Sequence, residues 1–343
     1  MPKILYGVSP IGLGHATRSL VVLDELKRRG ADVRAFSGGK AAEFLRSQGV
    51  AVDGTVEDSG PRVNGLVMGS VSAWYVRSWL AQRRNVKRAI ALVDAFSPDL
   101  VVGDEEFSGV TAAEREGVKR AFIADELDLG FARGWLAEKI EGRVARWYAH
   151  LQSSVDLLVV PERGEDGGNR RYVGPIVRPV TKTAEQTRAA YGIPAGRFVL
   201  VSMSGSGIGR ELAARTHAAL KEAGLADVRT VVTGNRGEKL GDGVVDLGVV
   251  GDNQNLVACA DLVVSTAGKS TIDEAVAAGT PVVVIPIRHH AEQVRNAEAL
   301  GYSYEDLGRL PGIIAEKIGK RGRPVPCDGH VRAAEAILAL ASS

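Results

Sequence analysis

Short, largely apolar runs, rich in Val, Ile and Leu, recur along this chain, each followed by a polar or glycine-bearing turn. In the first half they are Ile4 to Val8, Asp32 to Phe36, Leu100 to Val102, Ala121 to Ile123 and Val155 to Val160. In the second half they are Phe198 to Met203, Val228 to Val232, Val244 to Leu247, Leu262 to Val264 and Val282 to Ile285. Runs that do not alternate with polar residues fit strands buried on both faces, the habit of parallel sheets. Between them the period changes. A helix is predicted from the turn after Val8 to about Arg29, with Leu20, Leu23 and Leu26 inward, basic residues at its end and Gly30 as its stop. Two longer helical faces follow, one through Val71, Trp74, Ser78, Gln82, Val86, Ile90 and Val93, the other through Leu136, Ile140, Val144, Trp147 and Leu151. Strand, turn, helix, strand, repeated in both halves, predicts an α/β chain of two parallel-sheet domains.

The charged, glycine-rich stretch Pro161 to Arg171 and the proline-bearing stretch Val173 to Pro179 interrupt the pattern. They place a first domain at residues 1–174, a linker at 175–182 and a second domain at 183–325. A last helix, Val331 to Leu340 within 326–343, has an Ala-rich face suited to docking back on the first domain. Two domains that each open on a glycine turn leave a cleft between them as the expected ligand site.

Composition narrows the class. The chain has 343 residues, 45% apolar and 24% charged, with a net charge of +2. Nucleic-acid binding is not expected from so small a basic surplus. Two cysteines, Cys259 and Cys327, make neither a disulfide framework nor a Cys-based zinc site. The chain goes straight into a strand, and no apolar run reaches the ~20 residues of a membrane span, so a cytoplasmic protein is expected.

Chemistry gathers past the strand ends. The first turn reads Gly12-Leu13-Gly14-His15, then Thr17 where a dinucleotide fingerprint has its third glycine. Ser37-Gly38-Gly39 stands where that fold carries a ribose-binding acid, so NAD binding is disfavoured. A helix N-terminus disfavours an imidazolium, so His15 is expected neutral and able to accept a proton. Asp104-Glu105-Glu106 and Asp125, Glu126 and Asp128 follow two other strands. One of these carboxylates is a candidate general base or a partner that orients His15; loop charge and helix capping explain any single one equally well. In the second half, Ala267-Gly268-Lys269-Ser270-Thr271 leads into a helix that ends near Gly279, with Ser270 or Thr271 as its expected cap. Free N–H groups there favour a phosphate, and Glu274 one turn further in suits a sugar diol. Val263 stands where a P-loop needs its first glycine, so a P-loop NTPase is excluded.

Taken together, Gly12-x-Gly14-His15, Ser204-Gly205-Ser206-Gly207, Ala267-Gly268-x-Ser270-Thr271-x-x-Glu274 with Gly279-x-Pro281, and Glu292-Gln293-x-x-Asn296-Ala297 resemble the GT-B glycosyltransferases. The chain is most similar to the group around glycosyltransferase family 28, which includes the peptidoglycan N-acetylglucosaminyltransferase, over nearly its whole length. The resemblance implies two Rossmann-like domains facing across a cleft and a nucleoside-diphosphate sugar, foremost a UDP-sugar, as donor. It puts the diphosphate near the two glycine loops and Gly268, with an added contact open to Lys269. It puts the nucleobase near Val249 and Val250, the ribose on Glu274, and the sugar on Gln293 and, less directly, Glu292. Inversion at the anomeric carbon is also what the family implies.

No Asp-x-Asp of the metal-bridging kind occurs, so neither a metal nor any cofactor is expected. Helix N-termini and loop N–H groups supply the positive potential that a departing diphosphate needs. Aromatic, basic helices (Trp74 and Trp79 with Arg77, Arg83, Arg84, Lys87 and Arg88; Trp135 and Trp147 with Arg143 and Arg146) suit a lipid-linked hydroxyl acceptor, a cell-surface glycan precursor and peripheral contact with the inner face of the membrane. They also suit helices packed on a sheet with solvated basic faces. Three readings stay open: a sugar transferase; a nucleotide-sugar hydrolase or 2-epimerase on the same scaffold; and a non-catalytic subunit that binds sugar nucleotides.

Overall fold

A computed structural model describes residues 1–58, 60, 63–64, 67–68, 70–125, 134–203, 210–235 and 240–343 of the chain. Its contacts divide into two compact units, one of residues 1–62, 70–177 and 327–343, the other of residues 178–326 with the short stretch 63–69.

In chain order the elements are β1 (Lys3–Val8), α1 (Gly14–Arg28), β2 (Asp32–Ser37), α2 (Gly39–Ser47), β3 (Val52–Thr55), the two-residue strands β4 (Val63–Asn64) and β5 (Val67–Met68), α3 (Val71–Phe96), β6 (Leu100–Asp104), α4 (Phe107–Glu116), β7 (Lys119–Ile123), α5 (Trp135–Ser154), β8 (Leu157–Val160) and β9 (Arg170–Tyr172). There follow α6 (Ala184–Tyr191), β10 (Phe198–Ser202), α7 (Arg210–Glu222), β11 (Arg229–Thr233), β12 (Val244–Asp246), α8 (Asn253–Cys259), β13 (Leu262–Ser265), α9 (Lys269–Ala278), β14 (Val282–Val284), α10 (Ala291–Ala299), a 3₁₀ turn (Tyr304–Arg309), α11 (Leu310–Lys317) and α12 (Gly329–Ser342).

The first unit carries a seven-stranded sheet of order β3-β2-β1-β6-β7-β8-β9, parallel throughout. Its centre is apolar on both faces. Tyr6, Leu100, Val102, Ile123 and Val159 meet α1 through Val22, Leu23 and Leu26, and Leu5, Phe36 and Val101 pack with Ala89, Val93 and Phe96 of α3. Helix α12 closes the first of these cores with Ala333, Ala334 and Ile337, and Arg29 beside α1 meets Glu335 at 2.9 Å. The second unit carries a five-stranded parallel sheet of order β12-β11-β10-β13-β14. Two parallel-sheet α/β units are what the apolar runs predicted.

Each sheet reverses its winding at one place. In the first, β1 lies between β2 and β6, so the chain leaves β1 toward one side and β6 toward the other. In the second, β10 lies between β11 and β13 in the same way. Ligands of open parallel sheets bind beyond the strand carboxyl ends at such switch points. The loops to inspect are therefore those after β1 and β6, and after β10 and β13.

Several boundaries differ from the sequence reading. β9 lies inside a stretch read as loop, and α2 was not anticipated. On α5, Trp147 lies 41% exposed although it was placed on the inward face, where Ala137, Tyr148 and Leu151 are buried.

Candidate active site

The loop after β1 turns at Gly12, whose φ of +73° is open to glycine and costly for a side chain. Helix α1 then starts at Gly14 with no side-chain cap, so His15 stands in its first turn. Strand β6 ends on Asp104, wholly buried, and Glu105 follows with φ +42°, a left-handed conformation that a carboxylate-bearing residue adopts only when its surroundings hold it. The two loops meet. His15 Nδ1 lies 3.1 Å from Asp104 Oδ1, and its Nε2 lies 3.5 Å from Glu105 Oε2. Nδ1 also lies 3.2 Å from Arg18 Nη2, which can only donate; with the Nδ1–H assigned to the charged Asp104 oxygen, Nε2 is the acceptor nitrogen.

Arg18 sits at the centre of this group, 7% exposed. Its Nε donates to both oxygens of Asp104 (2.9 and 3.0 Å), its Nη2 donates to Oδ1 (2.6 Å), and its Nη1 donates to both oxygens of Asp125 at the end of β7 (3.0 and 2.9 Å). Ser19 Oγ donates to Asp104 as well, at 2.6 Å. The sequence reading missed Arg18 because Asp104 and Asp125 are distant in the chain. It named Asp125 among the acids past the strand ends, as a candidate base or orienting partner of His15, but not as a partner of Arg18. The third acid, Glu106, caps α4 by accepting from the Ser108 and Gly109 N–H groups, so its role is structural. Glu126 and Asp128 lie outside the described residues.

These contacts reverse one expectation. Burial lowers the His15 imidazole, but the Glu105 charge and the hydrogen bond to Asp104 outweigh it, and the ring is held above its ordinary value instead of below it. The local argument from the helix end ignored two carboxylates brought in by β6. Burial also raises Asp104, yet the Arg18 charge and the His15 bond hold it down at about 2. Glu105 moves the other way, raised by burial against the pull of His15. The result is a neutral or singly charged imidazole beside a carboxylate that holds its proton more tightly than usual. This arrangement can take a proton from a hydroxyl and keep it.

In the second unit, β13 runs into Thr266-Ala267-Gly268 and then α9. Gly268 itself is the N-cap and no side chain caps the helix. Ser270 and Thr271 were expected to do so, but the helix begins at Lys269 and both hydroxyls fall inside its first turn. The uncapped N–H groups are left to an anion. Lys269 pairs with Asp273 at 3.0 Å. Glu274 is buried, and its Oε1 accepts from Arg178 Nε at 3.0 Å; Arg178 also donates to the Gly251 carbonyl at 2.6 Å, next to Val250. Burial raises the Glu274 carboxyl and Arg178 only partly offsets it. Gln293 is buried as well and accepts from the Ile287 N–H at 3.0 Å, which ties the start of α10 to the loop after β14. Asn296 donates to the Ala267 carbonyl at 3.0 Å and holds the Gly268 turn. Glu292 begins α10 beside Gln293. Ser204, Gly205, Ser206 and Gly207 lie outside the described residues. No group of three His, Cys, Asp or Glu side chains is arranged to hold a metal among the described residues.

Comparison with known proteins identifies the family. Residues 2–119 match the family described as Glycosyl transferase family 1, and residues 233–307 match the Glycosyltransferase family 28 C-terminal domain. An uncharacterized glycosyltransferase of Methanopyrus kandleri, MK0977, is 30% identical over 64% of this chain and 67% of its own length. The chain belongs to the glycosyltransferases. This glycosyltransferase is also 28% identical to the Leifsonia xyli UDP-N-acetylglucosamine–N-acetylmuramyl-(pentapeptide) pyrophosphoryl-undecaprenol N-acetylglucosamine transferase, over 88% of its length and 84% of the relative's. Among solved structures it matches the glycotransferase of kitacinnamycin with a TM-score of 0.63 at 17% identity over 99% of both chains. It matches the Staphylococcus aureus MnaA–UDP co-structure with a TM-score of 0.60 at 14% identity, over 100% of this chain and 98% of that one. These likenesses establish the GT-B fold. The family 28 match over residues 233–307 covers the Ala267 to Pro281 and Glu292 to Ala297 motifs, and the Gly12 to His15 motif falls within the match over residues 2–119.

Proposed function

We propose that this glycosyltransferase moves a sugar from a UDP-sugar to a hydroxyl of a lipid-linked, cell-surface glycan precursor, with inversion and without a metal. The observation that carries the reading is the His15, Arg18, Asp104, Glu105 and Asp125 cluster at the switch point of the first sheet. His15 Nε2 takes the acceptor proton as the acceptor oxygen attacks the anomeric carbon opposite the departing diphosphate. Asp104 holds the ring by Nδ1, and Glu105 stabilises the imidazolium that forms. Arg18 is a positioning residue that neutralises Asp104 and Asp125.

The donor is assigned to the second unit. Its diphosphate is assigned to the uncapped start of α9 at Gly268 to Thr271, where peptide dipoles replace a cation. Glu274 takes the ribose, Val250 borders the base, and Gln293 with Glu292 meets the sugar. Arg178 holds the Glu274 carboxylate in place for this task. The UDP donor and lipid-linked acceptor follow the wording of the Leifsonia relative's name.

An exposed aromatic face on the first unit supports the acceptor class. Trp79 is 59% exposed and Trp135 73%, with Arg83 over the Trp79 ring and Lys139 over the Trp135 ring, each at 5.0 Å. Aromatic rings stacked with cations suit the interface of an anionic membrane. No helix among the described residues is long and apolar enough to cross one. Peripheral attachment at the inner face of the cell membrane is therefore part of the proposal.

The test is a turnover assay with UDP-sugars and polyprenyl-pyrophosphate-linked acceptors, in EDTA, with the anomeric configuration of the product read by NMR. An inverted glycoside made in EDTA is expected. Release of free sugar without acceptor would favour a hydrolase, and tight UDP binding without turnover would favour a binding subunit. A nucleoside diphosphate at 100-fold its dissociation constant stabilises the protein by about 2.7 kcal/mol, so thermal shift identifies the base first.

A further inference from the structure

Two groups beside His15 are incomplete. The Glu105 side chain is 14% exposed and, among the described residues, its carboxylate makes no hydrogen bond at ordinary distance; its charged neighbours are His15 Nε2 at 3.5 Å and Arg18 Nη2 at 3.9 Å. The Tyr148 hydroxyl on α5 is buried and, among the described residues, has no partner at ordinary hydrogen-bond distance, the Gln152 side chain one turn on being the polar group nearby. Its ring is fixed by Phe107, edge-on at 5.9 Å between centroids, and by Phe122 at 6.2 Å. Phe107 stands two residues beyond Glu105 and opens α4, so the same short segment carries the carboxylate and packs the phenol. A buried hydroxyl without a partner costs on the order of 1–3 kcal/mol, and phenylalanine would fill the same space without that cost. An unmet donor and an unmet acceptor thus share one corner of the site.

We propose that the Tyr148 phenol is the hydrogen-bond donor to the Glu105 carboxylate in the working site, and so positions it against His15. This inference rests on the reading of His15 and Glu105 as the acid–base pair. The charged groups around Glu105 are His15 and Arg18 from α1, Asp104 ahead of it on β6 and Asp125 at the end of β7; α5 supplies the phenol and, one turn on, the Gln152 amide. Burial and then the charge of Glu105 keep the phenol protonated, well above its ordinary range, so it is a donor at any working pH. Asp125 is already filled by Arg18, which leaves Glu105 as the acceptor with room.

The experiment compares wild type with Tyr148→Phe, which keeps the ring packing. In protein carrying ¹³C-labelled glutamate, the Glu105 carboxyl resonance is identified by its absence in Glu105→Gln. Loss of a hydrogen bond to the charged form is expected to move its titration midpoint up by about one pH unit in Tyr148→Phe. Donor affinity is expected to stay within twofold, while kcat falls at least tenfold. Tyr148→Phe in the Glu105→Gln background is expected to add less than twofold. An unchanged Glu105 midpoint, or an undiminished effect of Tyr148→Phe on kcat in that background, would overturn the inference. The titration is read without substrate. A chain that transfers no sugar yet shows the shift therefore overturns the transferase mechanism and keeps the Tyr148–Glu105 bond.

Discussion

Replacing Asp104 by Asn tests whether the buried cluster is held together by charge. The carboxylate is wholly buried and accepts from Arg18, Ser19 and His15. Burial raises its proton affinity, but Arg18 above all brings it to about 2, against 3.8 when free. That difference is worth about 2 kcal/mol at neutral pH. Asn has the same outline but brings an NH₂ group against the Arg18 donors and leaves the guanidinium with Asp125 and the more distant Glu105. Breaking one partner of a buried pair typically costs about 3–5 kcal/mol, so a loss between about 2 and 5 kcal/mol is expected at pH 7.

The pH dependence separates charge from shape. The folded carboxyl is depressed, so its contribution is present above the unfolded value of 3.8 and is lost as pH falls toward 2. About half of the charge contribution should be gone by pH 3. All four tryptophans belong to the first unit, so urea titrations followed by their fluorescence report on this unit. The gap between wild type and Asp104→Asn should narrow stepwise from pH 5 to pH 3. A gap below about 1 kcal/mol at pH 7, or one that stays constant down to pH 3, would refute the reasoning.

The remaining expectations concern function. His15→Ala should lower kcat by about 10²–10⁴ while UDP affinity, measured by calorimetry, is unchanged; equal effects on both would remove His15 from acid–base chemistry. Glu105→Gln should move the acidic limb of the kcat/KM profile to lower pH, because the neutral ring is the active form and the Glu105 charge is what raises His15. A limb that stays in place would show that another group titrates there. Glu274→Ala should weaken UDP binding by about tenfold or more, with kcat at saturating donor largely kept. Trp79→Ala with Trp135→Ala should leave urea stability within about 0.5 kcal/mol and reduce sedimentation with anionic vesicles; unchanged sedimentation would detach this face from the membrane.

What the sequence made legible was whatever depends on neighbours in the chain. Short, β-branched, largely apolar runs bounded by turns fit buried strands, and a turn after each one puts its residues beyond a carboxyl end. His15, Asp104 and Gly268 could therefore be placed without coordinates. β9 escaped because Arg170 and Arg171 are exposed at the sheet edge, where one side needs no apolar partner. The expected cap on α9 failed by two residues, since Gly268 already has the extended backbone of an N-cap.

The larger omission, Arg18, had a signal that went unused. It lies four and eight residues before Val22 and Leu26, both fully buried, and so falls on the inward stripe of α1. A guanidinium on an apolar stripe cannot be left unpaired, because the desolvation it suffers must be offset by acids from elsewhere in the fold. The neighbouring strand ends carry the acids from Asp104 to Glu106 and from Asp125 to Asp128, and Arg18 binds the first of each group. The same reasoning applies to the imidazole. The direction of its shift was misjudged from the helix end alone, while Arg18 three residues on already implied acids within its reach. A charged residue on a buried helical face thus locates the carboxylates of a site before any coordinates do, and it locates them around the group they tune.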